Sequence, residues 1–304
     1  MTSNIDNSGR GNLLPIARDV IKHAKAGTMR KAKDVMRLPA SNYTDDNRFQ
    51  EELDNVIKRV PIILGPSCEI PNSGDFKTIN VAGTSLILTR TKDGKANALV
   101  NVCSHRGACL TKDEKGKRNL FTCPYHGWSF SNSGKLIAIS SENDFGEIEK
   151  KNYGLKSLPI YESAGLIWAI MNPESEVDIP NFLSGYDNML ETFAFSDWVF
   201  VSKRTFKGPN WKIAYDGYLE YYHVPVLHRE TFGIDATNRG LYYTWGPHQH
   251  IKSPATEQGH IATETLGYLA DLIDKPENEW DTETLTYGVW TCLLYTSDAA
   301  DDRV

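Results

Sequence analysis

A chain of 304 residues, 40% apolar and 24% charged, has the composition of an ordinary soluble globular protein with room for one large core or two modest ones. A net charge of -6 without a basic stripe argues against nucleic acid as the main partner, and the lack of a long apolar run excludes a membrane-spanning helix. The first residues, MTSNIDNSGRGN, carry neither a signal-peptide pattern nor an Arg-rich transit composition, so a cytoplasmic protein is expected.

In chain order, LPIARDVIKHAKAG predicts an amphipathic helix, and Thr44 is placed to cap a second one through DDNRFQEELDNVI, with acids in its first turn. From about Val60 the pattern changes to short strands. TSLILTRT and ANALVNVC flank a Lys-Asp-Gly-Lys turn at 92 to 95, a hairpin signal. WSFSNSGKLIAI reads as a second hairpin, and GLIWAIMNP as an apolar strand stopped by Pro173. An acidic, irregular connection, ESEVDIPNFLSG, leads to a strand-like SDWVFVSKRTF and then to NWKIAYDGYLEYYHVPVLHRET.

Five cysteines, Cys68, Cys103, Cys109, Cys123 and Cys292, are an odd number without the dense spacing of a disulfide-stapled domain, so clustered thiols read as ligands. Two pairs stand out, Cys103-x-His105 and Cys123-x2-His126, each joining one thiol to one imidazole. Gly107 and Gly127, close behind the histidines, let the backbone turn tightly. A Cys2His2 zinc site uses the same residue types, whereas a Rieske [2Fe-2S] centre puts two cysteines on one iron and two histidines on the other. The mixing of Cys with His in each pair favours the iron-sulfur reading and leaves zinc as the alternative.

The second candidate cluster is Glu220, His223 and His228. Residues five apart on an ideal helix are separated by about 140° in projection, so the two histidines would not share a face. Pro225 resolves this: the residue before a proline avoids the helical region, so the helix is expected to end at Val224, with His223 on its last turn. Glu220, one turn earlier, is placed either to fix the His223 tautomer from behind the metal or to ligate directly. The bland alternative is a solvated acid and two core histidines. His23, His248, His250 and His260 are read as structural or solvated. An iron-sulfur carrier followed by a histidine-carboxylate iron site is the combination that activates dioxygen.

C-x-H-R-G and C-P-Y-H-G-W, with SCEIPNSGDF before them and GLIWAIMNP after, closely resemble the Rieske domain of the Rieske non-haem iron oxygenases, in their large (alpha) subunit. Asn210, Trp211, Lys212, Glu220, His223 and His228 match the same family's iron motif. The resemblance implies an α+β fold: an all-β Rieske [2Fe-2S] domain at 59–173 inserted in a helix-grip catalytic domain of antiparallel sheet plus helices. Residues 1–58 would be the helical start of that catalytic domain, and 174–291 an incomplete remainder. It implies cluster ligands Cys103, His105, Cys123 and His126, and mononuclear non-haem Fe(II) on His223 and His228. Glu220 would stand at the position that links an iron-bound histidine to a Rieske histidine of the neighbouring subunit. Many relatives carry aspartate there and asparagine at Gly217; glutamate at the former leans toward alpha-only monooxygenases. Respiratory Rieske proteins add a disulfide between the two loops, but Tyr125 stands where the partner of Cys109 is expected, so Cys109 and likewise Cys68 are read as buried free thiols.

Implied partners are O2, a small-molecule substrate, an NAD(P)H-dependent reductase with or without a ferredoxin, and further alpha subunits in a homotrimer, with or without a beta subunit. The family's third iron ligand is an aspartate well over a hundred residues beyond the second histidine, and 76 residues follow His228 here. Asp235, Asp271, Asp274 and Asp281 lie in no recognisable ligand context. Residues 292–301, CLLYTSDAAD, match a translated frame of a common transposase-based sequencing adapter, so the natural protein is expected to continue differently from about Cys292 and 292–304 to be foreign. Two rival readings stand beside the oxygenase: an electron-transfer Rieske protein, and a catalytically incompetent fragment.

Overall fold

The computed structural model describes residues 9–204, 207–232, 238–252, 272, 275–286 and 289–291. Contacts among them divide the chain into two compact units, Asp46–Phe182 with Ala194–Gly208, and the stretches up to Asp45, Leu183–Phe193 and from Pro209 on. The helices α1 (Gly9–Ala26), α2 (Ser41–Thr44) and α3 (Asp46–Glu52) come first. Helix α1 buries Leu13, Ile16, Ala17, Val20, Ile21 and Ala24, the three-and-four spacing of a one-faced helix. Thr44 does not cap α3: it ends the single turn of α2, and its hydroxyl donates back to the Ala40 carbonyl at 3.3 Å. Asp45 adopts extended backbone between the two helices. The compact unit that holds the small sheets includes α3 and the π turn after it, in which Phe49 and Ile57 are buried.

Its strands are β1 (Ile62–Pro66), β2 (Asp75–Val81), β3 (Thr84–Arg90), β4 (Ala96–Val100), β5 (Lys115–Lys117), β6 (Leu120–Thr122), β7 (Ser129–Ser131), β8 (Leu136–Ala138), β9 (Ile160–Ser163) and β10 (Leu166–Ala169). They form three antiparallel sheets, ordered β1-β10-β9, β4-β3-β2-β5 and β6-β7-β8. Both expected hairpins are present: Gly94 closes the β3-β4 turn with φ +81° and its N–H on Thr91, and Gly134 closes β7-β8 at φ +82°. The apolar core gathers Phe76, Ile87, Leu99, Leu110, Phe121, Trp128, Phe130 and Leu136, with Cys103 and Cys123 among them.

Three expectations fail in this unit. SDWVFVSKRTF supplies no strand among its described residues: after a 3-10 turn at Phe195–Asp197 the chain runs on with Trp198, Val199, Phe200 and Val201 all exposed. Alternation between a wet and a dry face is what fixes a strand's register, and this run has no dry face. Cys109 is exposed, with its sulfur 3.2 Å from the Thr111 carbonyl, and Cys68 is half-buried, so neither is the buried thiol expected. Cys68 lies in the 3-10 turn Ser67–Glu69 and Cys109 on an isolated bridge to Val102, both outside the named strands, where alternation does not bury a side chain.

Arg90 ties two sheets together. Its guanidinium donates to both Glu162 carboxylate oxygens at 2.6 and 2.8 Å, and to the carbonyls of Ile70 and Gly94. Burial alone would raise the Glu162 carboxyl, but Arg90 and the Ser67 hydroxyl outweigh it and hold it below the usual carboxylate value.

The other unit contains α5 (Tyr186–Leu190, following α4 at Ile179–Leu183), α6 (Trp211–Leu219), α7 (Val224–Leu227) and α8 (Arg229–Phe232). It also holds the antiparallel sheet β11 (Leu241–Trp245), β12 (His248–Lys252) and β13 (Val289–Thr291), in that order, and a short helix at Thr282–Thr286. Helix α1 packs against α5 and the 282–286 helix, and Arg10 reaches the Trp280 carbonyl at 2.5 Å. On β12, Lys252 is buried and donates to the Leu285 carbonyl at 2.7 Å; burial pushes its amine down to about 7. The mixed helix-and-sheet class with an all-β component is as expected.

Replacing Arg90 by Met should leave the Glu162 charge uncompensated and cost about 3 kcal/mol in denaturant unfolding. A carboxylate lowered in the fold stabilises fully above its unfolded pKa, about 4.3, and loses that contribution as pH falls through its folded value. Glu162→Gln should therefore flatten the decline of the melting temperature below about pH 4.

Candidate functional site

Two loops carry the first donor set, and their backbones close in the same way. In the first, the Cys103 N–H donates to Ala108 at 2.8 Å and the Gly107 N–H to Cys103 at 2.9 Å. In the second, Cys123 donates to Trp128 at 2.7 Å and Gly127 to Cys123 at 3.0 Å. The chain must reverse within five residues, and Gly107 and Gly127 supply the left-handed turn at φ +75° and +68°. Asn101 clamps the base of the first loop: its carbonyl oxygen accepts the Leu110 and Thr111 N–H groups, and its amide donates to Ser85 and to the Thr111 carbonyl. The Ser104 hydroxyl, between the two donor residues, is held by the Tyr153 carbonyl at 2.6 Å. A Thr122–Ser129 hydroxyl contact at 2.9 Å closes the base of the second loop.

The loops bring like to like. Cys103 and Cys123 are both buried, with their sulfurs in hydrogen-bond reach of each other. The imidazoles of His105 and His126 meet at 4.8 Å between centroids. Burial pushes the Cys103 thiol up, while the N–H groups of His105 and Arg106 aim at its sulfur and favour the thiolate. His105 is held below the ordinary imidazole value, by burial first and then by the charges of His126 and Arg106, which favours the neutral ring. Its Nδ1 is buried without a hydrogen-bond partner.

A tetrahedral zinc site needs all four donors on one ion. Here Cys103 and Cys123 form a thiol pair and His105 and His126 an imidazole pair. That pairing, the orphaned Nδ1 and the N–H groups directed at a sulfur fit a two-iron cluster with two ligands on each iron.

The second donor set lies around α6. Asn210 caps this helix, its side chain accepting the Lys212 N–H at 3.0 Å, and Trp211 behind it is buried. The helix ends at Leu219, not at Val224: Glu220 is extended, and His223 precedes the new helix α7. Pro225 falls in the first turn of α7, where a missing N–H costs nothing, so it helps to start a helix rather than to stop one. Across the break the Glu220 carboxylate accepts the His223 backbone N–H at 3.1 Å and contacts its Nδ1. The His223 and His228 rings lie 5.2 Å apart at 67°. Burial first, and then the Glu220 charge, push the Tyr242 phenol up.

Of the acids considered as a third donor, Asp281 alone lies among the described residues, and it is engaged elsewhere. Asp281 accepts the N–H and hydroxyl of Thr284, as a cap of the 282–286 helix. Asp235, Asp271 and Asp274 lie outside the described residues, as do His260, Cys292 and the segment 292–304. His248 and His250 are buried on β12, where His248 stacks on Tyr186 at 4.6 Å. His23 holds Thr28 at the end of α1. Gly217 faces open space. The residues that sequence reasoning missed are Asn101 and Ser104, which hold the first loop. Their only signal is a polar residue next to each side of Val102-Cys103, too common to single them out.

Two protein families match this chain: the Rieske [2Fe-2S] domain over residues 60–159, and the ring hydroxylating alpha subunit (catalytic domain) over 195–293. The anthranilate 1,2-dioxygenase large subunit of Acinetobacter baylyi is 30% identical over 202 residues, 64% of this chain and 43% of that protein. The carnitine monooxygenase oxygenase subunit of Escherichia coli K12 is 32% identical over 199 residues, 64% of this chain and 53% of the relative. Among solved structures, a quaternary ammonium Rieske monooxygenase, described for carnitine oxidation and inter-subunit electron transfer, matches with a TM-score of 0.63 and 26% identity. That match covers 70% of this chain and 59% of the other. The chain spans about half the length of the curated relatives it matches.

Replacing Asn101 by Ala removes four hydrogen bonds at one buried point. It should cost about 3 kcal/mol, since two N–H groups and a carbonyl lose their partner, and unfolding in urea measures it.

Proposed function

We propose, for a chain that belongs to the large (alpha) subunits of the Rieske ring-hydroxylating oxygenases, that its parent is the terminal oxygenase of a multicomponent system. Electrons would come from an NAD(P)H-dependent reductase, directly or through a ferredoxin, and O2 would hydroxylate or demethylate an aromatic or other small organic substrate. The observation that carries this reading is the presence in one chain of both the paired thiol and imidazole loops and the Glu220, His223 and His228 constellation.

Bound in these places, a [2Fe-2S] cluster supplies one-electron transfer and a ferrous ion supplies oxygen activation. Cys103 and Cys123 would hold the cluster as thiolates, with the N–H groups of His105 and Arg106 offsetting the burial of the first sulfur. His105 and His126 would give neutral nitrogens. His223 and His228 would hold the ferrous ion, and the Glu220 contact with Nδ1 of His223 leaves Nε2 as the ligating atom. In an assembly of alpha subunits, a homotrimer in this reading with or without a beta subunit, Glu220 would connect this histidine to a cluster histidine of the neighbour. The reported inter-subunit electron transfer of the quaternary ammonium relative supports that role. A reducing cytoplasm suits sulfurs that must stay thiols until the cluster is built.

A second reading is favoured by one observation: no third carboxylate joins His223 and His228 among the described residues. The 304-residue chain would then carry electrons without activating oxygen. Iron and sulfide analysis with EPR distinguishes the two. The oxygenase reading expects a dithionite-reduced [2Fe-2S] signal plus a further iron per chain; the cluster signal alone marks an incompetent fragment, and a diamagnetic zinc protein refutes both.

Glu220→Ala should weaken Fe(II) or Co(II) binding at the histidine pair by roughly 10- to 100-fold while leaving the cluster signal as it is. Unchanged metal affinity in a calorimetric titration would remove Glu220 from the site.

A further inference from the structure

The His105 ring lies face to face with the Trp128 indole, at 4.6 Å between centroids and 5° between planes. The two residues belong to different loops, and Trp128 closes its own through the bond from the Cys123 N–H to its carbonyl. The indole is 2% exposed, and Phe145 and Tyr153 meet it edge-on at 6.1 and 5.7 Å. Tyr153 in turn holds the Ser104 hydroxyl, next to His105 in sequence, so both partners in the stack are fixed to the same turn. The indole Nε1 is buried without a hydrogen-bond partner. A desolvated donor without an acceptor only destabilises, so the rings hold this side chain in place and its polar atom does not.

We propose that Trp128 is a positioning residue for the [2Fe-2S] centre, setting the plane of the His105 imidazole and holding the reduction potential down. This rests on the reading of His105 as an iron ligand. Reduction adds one electron and thus one negative charge to the cluster. The π face of the indole presents negative potential to His105, and the buried ring keeps water away. Both effects disfavour the added charge, so loss of the indole raises the potential.

The test is an EPR-monitored redox titration of the full chain, poised with dithionite, for wild type, Trp128→Phe and Trp128→Met, with iron and sulfide counted in each. Phe keeps a stacked ring without the N–H, and Met fills volume without a ring. The expected order of potentials is wild type, then Phe, then Met as the highest, with the g values of the reduced cluster displaced in the same order. A Met variant that keeps its two irons and sulfides at the wild-type potential and g values overturns the proposal, as does a Phe shift as large as that of Met. If the Met variant does not retain a cluster, the Phe variant decides: an upward shift supports the stack, and an unchanged or lowered potential overturns it. A wild-type chain with no reduced [2Fe-2S] signal would overturn the ligand reading itself, a result distinct from these.

Discussion

Two thiols held side by side in an apolar core set the terms for the backbone between residues 101 and 153. Burial drives a sulfur toward its protonated form, and Cys103 has Leu99, Leu110, Phe121 and Phe130 in the core cluster it belongs to. A thiolate survives in such a place only if N–H dipoles and a metal compensate for lost water. That requirement explains the loop form: the chain dives into the core, turns on a left-handed glycine, and leaves within five residues, aiming its N–H groups inward on the way. Asn101, Ser104 and the Thr122–Ser129 contact then take up the hydrogen bonds that so abrupt a path leaves open.

The second constellation solves a different problem with a broken helix. An unbroken α6 would spread His223 and His228 around its axis. Interrupting it at Glu220 lets both rings approach, and it frees a carboxylate to occupy the gap. One Glu220 carboxylate oxygen accepts the His223 N–H just before α7 and the other contacts the ring Nδ1, so one side chain holds both backbone and imidazole. The exposed Tyr222, Val226 and Leu227 show that this turn is held by polar contacts more than by burial.

The parts legible in the sequence are those written locally. Glycine turns at Gly94 and Gly134, the one-faced pattern of α1, and the two Cys/His pairs each lie within a few residues of one another. What was misread depended on partners far along the chain or on a choice between two local rules. Pro225 obeys the rule for helix starts as readily as the rule for helix ends, and only the extended backbone of Glu220 decides between them. Val199 and Val201 have strand propensity without a sheet edge to join. Cys109 could not be placed from its type, because free cysteine is so often buried that exposure is the less expected outcome. The Arg90–Glu162 pair, 72 residues apart, and the His105–Trp128 stack across two loops have no sequence signal at all.

Order of synthesis matters to a unit assembled from separated stretches of chain. Helix α1 emerges from the ribosome early, yet Arg10 finds the Trp280 carbonyl 270 residues later, and Tyr243 reaches Asp19 across 224. The mostly contiguous strands from Ile62 to Ala169 need no such wait. Since domains fold as they appear, the thiol-bearing unit can close while the apolar face of α1 is still without its later partners. For that interval Leu13, Ile16, Val20 and Ile21 form a sticky surface, the kind that chaperones bind.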